Sequence, residues 1–192
     1  MPGQRFNLGK SSVRIEIAKP LALCAAIALF GSAPIANAHD QERGWAAYEK
    51  GDYALAAELI RPYAEQGDPE AQFKLGRMYQ EGQGVSKDQA EAVKWYRLSA
   101  EAGQPFAQNN LGVMYKNGWG VTQDYVQAYF WFSLAASYYF DFEEMNLERA
   151  RQNRQAVAAK ITPAEIAAAQ KLARDWIPKA SAQGASIKLM AR

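Results

Sequence analysis

Ala71-Gln72-Phe73-Lys74-Leu75-Gly76-Arg77-Met78-Tyr79 is answered 36 residues later by Ala107-Gln108-Asn109-Asn110-Leu111-Gly112-Val113-Met114-Tyr115. The register holds in both directions. Gly67 and Pro69 match Gly103 and Pro105, and Gly82-Gln83-Gly84-Val85 matches Gly118-Trp119-Gly120-Val121. Further on, Asp88, Ala92, Trp95, Leu98 and Ala100 match Asp124, Ala128, Trp131, Leu134 and Ala136. Of the 36 aligned pairs from Gly67 to Tyr138, 16 are identical without a gap. A fixed period of this length is the mark of stacked supersecondary units.

Each copy reads as helix, loop, helix. Pro69 and Pro105 suit a first helical turn, where a missing N–H is not felt. Ala71, Leu75, Met78 and Tyr79 then recur at helical spacing, as do Ala107, Leu111, Met114 and Tyr115. Gly76 and Gly112 cost a helix roughly 1 kcal/mol against alanine. They are expected where a neighbouring helix crosses too closely for a side chain. Gly82-x-Gly84 and Gly118-x-Gly120 end the first helix and turn the chain. Asp88 and Asp124 are expected to cap the second helix. That helix carries Ala92, Trp95, Leu98 and Ala100, and then Ala128, Trp131, Leu134 and Ala136, on one face. The alternative for the GxGxV stretch is a phosphate cradle. It needs a preceding strand and a third glycine, or a Gly-Lys-Ser/Thr ending, and neither is present.

The pattern Ala-x-x-x-Leu-Gly-x-x-Tyr-x-x-Gly-x-Gly-Val-x-x-Asp-x-x-x-Ala-x-x-Trp-[Tyr/Phe]-x-x-x-Ala resembles the Sel1-like repeat, a relative of the tetratricopeptide repeat. Ala71 to Ala100 and Ala107 to Ala136 carry it. The resemblance implies an all-α fold, a right-handed α-solenoid of antiparallel helix pairs with a C-terminal helical cap. It also implies a protein-binding adaptor, often of a bacterial envelope, with no catalytic residues and no cofactor.

Residues 1–38 read as a signal peptide. Arg5, Lys10, Arg14 and Lys19 form a basic start, Leu21 to Phe30 an apolar run, and Ala36-Asn37-Ala38 a cleavage site. The run is too short to span a bilayer, which argues against a membrane anchor. Cys24 lies inside it behind Leu23, whereas a lipid-modified cysteine follows a small residue. Cleavage after Ala38 predicts a periplasmic or secreted chain without stable membrane insertion. Its loss removes four of the 22 basic and one of the 20 acidic residues, leaving 18 and 19. A chain so close to neutral gives no reason to expect a nucleic-acid partner. The remainder has no cysteine, so disulfides and thiolate sites are excluded. His39 is its single histidine, which excludes a Ser-His-Asp triad inside a domain and a histidine zinc site. A terminal-histidine copper site would need a second histidine.

The remaining chain divides into four parts. Residues 39–66 are a degenerate first helix pair with a Gly51-Asp52 turn, and 67–102 and 103–138 are the two clear repeats. Residues 139–177 are capping helices, and 178–192 an unpatterned, flexible tail. Tyr125 to Phe142 is rich in aromatic residues. Core packing is expected there, because rings at helical spacing are usually buried, against the alternative of a sugar- or partner-binding surface. Phe142, Met145, Leu147, Ala150 and Val157 give the next helix an apolar face. Arg149, Arg151 and Arg154 read as its solvated side, with acids ahead of them as the helix dipole favours. Thr162-Pro163-Ala164-Glu165 is a capping box. The helix it starts places Ile166, Ala169, Ala173 and Trp176 on one face. Its Thr-Pro-x-Glu-Ile start and Leu-Ala-Arg-x-Trp end resemble the tail of secreted Sel1-like proteins.

Without cysteine, or a second histidine, an enzyme would depend on carboxylate, lysine or tyrosine chemistry. Asp88, Glu91 and Glu101 could be paired in space but read as solvated or capping positions, which gives no convincing carboxylate pair for acid–base work. Binding is the better reading. In such solenoids the first helix of each pair lines the groove. Its non-repeated positions are Phe73, Lys74, Arg77 and Gln80 in one copy, and Asn109, Asn110, Val113 and Lys116 in the next. Asparagine amides can pair with an extended peptide, and Lys74, Arg77 and Lys116 can hold a carboxylate. The expected partner is therefore a protein or peptide. The alternative is a peptidoglycan- or polysaccharide-associated factor using the aromatic stretch.

Overall fold

Eight helices follow one another in the computed structural model, which describes residues 38–138, 144–176 and 178. They are α1 (Ala38–Glu49), α2 (Tyr53–Glu65), α3 (Pro69–Glu81), α4 (Gln89–Glu101), α5 (Pro105–Asn117), α6 (Tyr125–Tyr138), α7 (Glu144–Ala158) and α8 (Pro163–Asp175). The described residues contain no strand. Consecutive helices pack in turn from α1 to α7, and α8 lies on α6. This is the expected all-α solenoid of helix pairs closed by C-terminal helices.

The repeated residues explain the stacking. Ala71, Leu75 and Met78 of α3, and Ala107, Leu111 and Met114 of α5, have no exposed surface. A Cβ added to Gly76 would sit 2.8 Å from the Tyr96 ring, and one on Gly112 would sit 2.7 Å from the Phe132 ring. The two glycines therefore let α3 and α5 press against the aromatic face of α4 and α6. Trp95 and Trp131 fill the remaining volume, each almost fully buried.

The second glycine of each loop joins one unit to the one before. Gly84 and Gly120 have φ of 67°, a conformation that side chains resist. A Cβ on Gly84 would run into the Tyr53 carbonyl, and one on Gly120 into the Gln89 carbonyl. Tyr53 and Gln89 open α2 and α4. Each loop thus rests on the first turn of the preceding pair's second helix.

Side chains cap the starts of the helices as the sequence predicts. Asp88 Oδ1 accepts from Ala90 N and Glu91 N, and Asp124 Oδ1 from Val126 N and Gln127 N. Thr162 and Glu165 form the capping box at α8. Two interhelical bonds also follow the period. Arg61 donates to the Tyr79 hydroxyl at 3.2 Å, and Arg97 to the Tyr115 hydroxyl at 2.9 Å.

Two apolar assignments need correction. Leu98 is exposed, although its counterpart Leu134 is buried. Met145 is 76% exposed, so the apolar face of α7 is carried by Leu147, Ala150 and Val157. The α8 face is as expected. Ala169 is buried beside Ile166, and Ala173 and Trp176 reach the core between α4, α5 and α6. The proposed signal peptide up to Asn37, Phe142 and the tail beyond Pro178 lie outside the described residues.

Candidate binding groove

Three first-in-pair helices, α3, α5 and α7, enclose a cleft of about 400 Å³. Phe73, Arg77, Gln80 and Glu81 come from α3, Phe106, Asn109 and Asn110 from α5, and Asn146 and Arg149 from α7. The helical period brings Phe73, Arg77 and Gln80 to one stripe of α3. Phe73 forms an apolar strip, its ring centroid 6.1 Å from that of Tyr96 and 5.8 Å from that of Phe106. The rest of the lining is polar.

The charged groups are unequally engaged. Arg77 Nη2 lies 3.4 Å from Glu81 Oε1. Burial disfavours the Arg77 cation, but the Tyr48, Glu81 and Tyr96 oxygens around it outweigh this and raise its pKa. Arg149 has no acidic partner among the described residues. Beneath them the Tyr96 hydroxyl donates to Gln80 Oε1 at 2.6 Å. Burial pushes the pKa of this phenol up, so it keeps its proton near neutral pH.

The profile of the Sel1 repeat family matches residues 69–104 and 105–137. These spans take in the helix pairs α3–α4 and, but for its last residue, α5–α6. The chain carries two Sel1 repeats. Among solved structures it is similar to a protective antigen present in uropathogenic Escherichia coli strains that displays an SLR fold. That likeness has 29% identity and a TM-score of 0.65, over 80% of this chain and 32% of that one. It is also similar to a Sel1 repeat protein from Oxalobacter formigenes, with 30% identity and a TM-score of 0.50, over 63% of this chain and 57% of that one. This chain thus spans about a third of the first relative and little more than half of the second. No curated protein matches it. The Sel1 fold is commonly a protein-interaction scaffold and is typically non-catalytic.

The seven predicted groove residues divide by repeat and by neighbour. Phe73 and Arg77 of the first Sel1 repeat, and Asn109 and Asn110 of the second, line the cleft together. Lys74 lies outside it. Its Nζ sits 4.4 Å from the Tyr48 ring centroid and 3.6 Å from carboxylates of Glu49 and Glu70, tying α3 to α1. Val113 packs in the core with Tyr129, Phe132 and Val157. Lys116 Nζ is 3.5 Å from Asn153 Oδ1 of α7 rather than free to hold a carboxylate. The reason is common to the last two. The helix α7 lies against α5 where the next repeat's first helix would, and covers that stretch of face.

Phe106, Glu81 and Asn146 join the lining without a signal in the repeat, and Arg149 is exposed, as expected of a solvated face, while also bordering the cleft. Glu81 sits four residues beyond Arg77, a spacing that signals the pair. The part played by α7 has no signature in the repeat, because it depends on how the cap docks.

Proposed function

We propose that this chain is a non-catalytic adaptor of the bacterial cell envelope that holds an extended segment of a protein partner in the α3–α5–α7 cleft. The observation that carries this reading is the convergence of non-repeated residues. Positions that differ between the copies, Phe73, Arg77, Asn109 and Asn110, meet on one cavity, while the repeated positions serve packing. Amides beside an aromatic strip suit a peptide, whose main chain needs hydrogen bonds and whose side chains need apolar contact. The envelope part rests on residues 1–38, with their basic start, short apolar run and Ala-x-Ala ending. The glycan alternative has less support. Its aromatic surface would draw on α6, where Tyr129, Trp131 and Phe132 are buried.

A photo-crosslinking residue at position 146 tests the groove, with one at exposed position 155 on α7 as control. One discrete envelope protein captured from 146 and not from 155 is the expected result. Equal capture at both positions, or retention on purified peptidoglycan in place of protein capture, would sink the adaptor reading. Cell fractionation with mass measurement tests the address. A chain lacking its first 38 residues is expected in the periplasm or medium, and a full-length cytoplasmic chain would overturn the envelope role.

A further inference from the structure

Trp119 is the one exposed tryptophan among the described residues, at 48%. Its backbone is nevertheless fixed. Its N–H donates to the Met114 carbonyl at 3.1 Å, and the next residue, Gly120, lies against the Gln89 carbonyl. The first Sel1 repeat builds the same turn with a different side chain. Gln83 stands at that position, its N–H donates to the Met78 carbonyl at 2.9 Å, and its side-chain oxygen is buried. The turn therefore does not require an indole. A rigid backbone that presents an aromatic ring to solvent can bind without losing loop freedom.

The ring borders a second cavity, of about 510 Å³, lined by Gln80, Glu81, Lys87, Gln89 and Trp119. Gln80 and Glu81 also line the α3–α5–α7 cleft. The end of α3 is thus a wall common to both, and a segment lying in the cleft meets the Trp119 cavity there. Phe73 and Gln80 are seven residues apart on α3, about 10 Å along the helix axis. An extended segment advances about 3.3 Å per residue. Roughly four residues would carry it from the Phe73 strip past Gln80 to the indole.

The polar groups of this second cavity are mostly engaged by the fold. Gln80 Oε1 accepts from the Tyr96 hydroxyl at 2.6 Å, and Glu81 Oε1 faces Arg77 Nη2 at 3.4 Å. Gln89 Nε2 donates to the Gln80 main-chain oxygen at 3.1 Å. A sugar stacked on Trp119 would need fixed groups for its hydroxyls, and a hydroxyl buried without one is costly. A large apolar side chain needs only the ring. The engaged polar groups therefore favour a peptide over a glycan.

We propose that Trp119 is a second apolar station of the binding groove. The partner segment is then an extended peptide with two large apolar side chains about four residues apart, one on Phe73 and the other on Trp119. This rests on the groove reading above and adds the ligand's pattern to it. The second Sel1 repeat, whose first helix is largely covered by α7, contributes to binding through its loop as well as through Asn109 and Asn110.

The test uses the purified chain and labelled nonapeptides of Gly, Ser and Thr that carry one Phe, or two Phe at varied separation. Two-Phe peptides are expected to bind best at a separation of about four, and about tenfold tighter than one-Phe peptides. Trp119→Gln gives this turn the residue that the first repeat holds there, so its thermal unfolding should match the wild type. It should bring the best two-Phe peptide down to the one-Phe level. One-Phe peptides, which keep the Phe73 station, should be nearly unchanged. The separation series needs no variant, so the proposal stays testable should Trp119→Gln fail to fold.

Affinity that ignores the separation of the two rings would overturn the proposal, as would a second ring that adds nothing. So would a best two-Phe peptide indifferent to Trp119→Gln. N-acetylglucosamine oligomers that bind through Trp119 where the peptides do not would assign the station to a glycan instead. Asn146→Trp, which fills the cleft, separates this proposal from the reading beneath it. Peptide binding that survives Asn146→Trp at full strength defeats the groove itself. Binding lost in Asn146→Trp yet unaffected by Trp119→Gln defeats only the second station.

Discussion

In the first Sel1 repeat the α3 stripe of Phe73, Arg77 and Gln80 borders an open cleft. In the second, the matching α5 stripe of Asn109, Val113 and Lys116 meets α7, through Asn153 and the core around Val157. The positions that build the stack are nevertheless the same. Leu75 and Leu111, Met78 and Met114, and Ala92 and Ala128 are all fully buried. Repeated residues therefore make each pair stack on its neighbour, and what covers the next face decides whether that face can bind. Here α7 closes the end of the stack and also supplies Asn146 and Arg149 to the cleft.

The strongest way to break this equivalence is at the loop glycines. Gly84→Ala and Gly120→Ala would each force a Cβ onto a backbone carbonyl at positive φ. Neither obstacle can swing aside, so each should cost about 3 kcal/mol in urea unfolding. A near-neutral result at one of them would show that the two junctions are not built alike.

A smaller effect is expected where the repeats differ by one oxygen. Phe132→Tyr would add a hydroxyl at a site with no exposed surface, in the repeat where Lys116 takes the sequence position of Gln80. An unpaired buried hydroxyl should cost about 1–3 kcal/mol. Thermal unfolding unchanged by Phe132→Tyr would show that the second repeat can satisfy that oxygen, which would remove the contrast with Tyr96.

The capping aspartates should respond alike. Asp88→Ala and Asp124→Ala each remove an oxygen that accepts from two backbone N–H groups. Each should lose about 1 kcal/mol, and a marked difference in their midpoints would show the two second helices to be unequally held.

The least effect lies in the C-terminal cap. Hydrogen bonds from the Thr162 backbone and side chain hold the Glu165 carboxyl below its usual pKa of 4.5. A depressed acid stabilises the fold above its unfolded pKa, and the contribution is lost as pH falls through the lower folded value. Melting temperature should therefore drop a little on acidification below about pH 4.5, and Glu165→Gln should flatten that part of the profile.

Several features were legible because they are local or periodic. Gly76 and Gly112 cost a helix stability wherever they stand, so their recurrence already pointed to a close crossing. The Thr162–Glu165 box and the Asp88 and Asp124 caps depend on residues within a single turn. The burial of Trp131 and Phe132 followed from their helical spacing. Lys74 shows the limit of such reading. Nothing nearby in sequence reveals that Trp45 and Tyr48, on a different helix, lie beside its ammonium. Leu98 and Leu134 occupy one repeat position and differ in burial, because their neighbours differ.

The amino-acid sequence alone determined the helix pairs, their period and their mode of stacking, since those rest on backbone preferences and on small and large residues recurring at fixed spacing. The tertiary structure alone decided which of the groove residues line the cleft together and which are taken up by α1 or α7. Those properties belong to contacts between residues tens of positions apart, which no local pattern encodes.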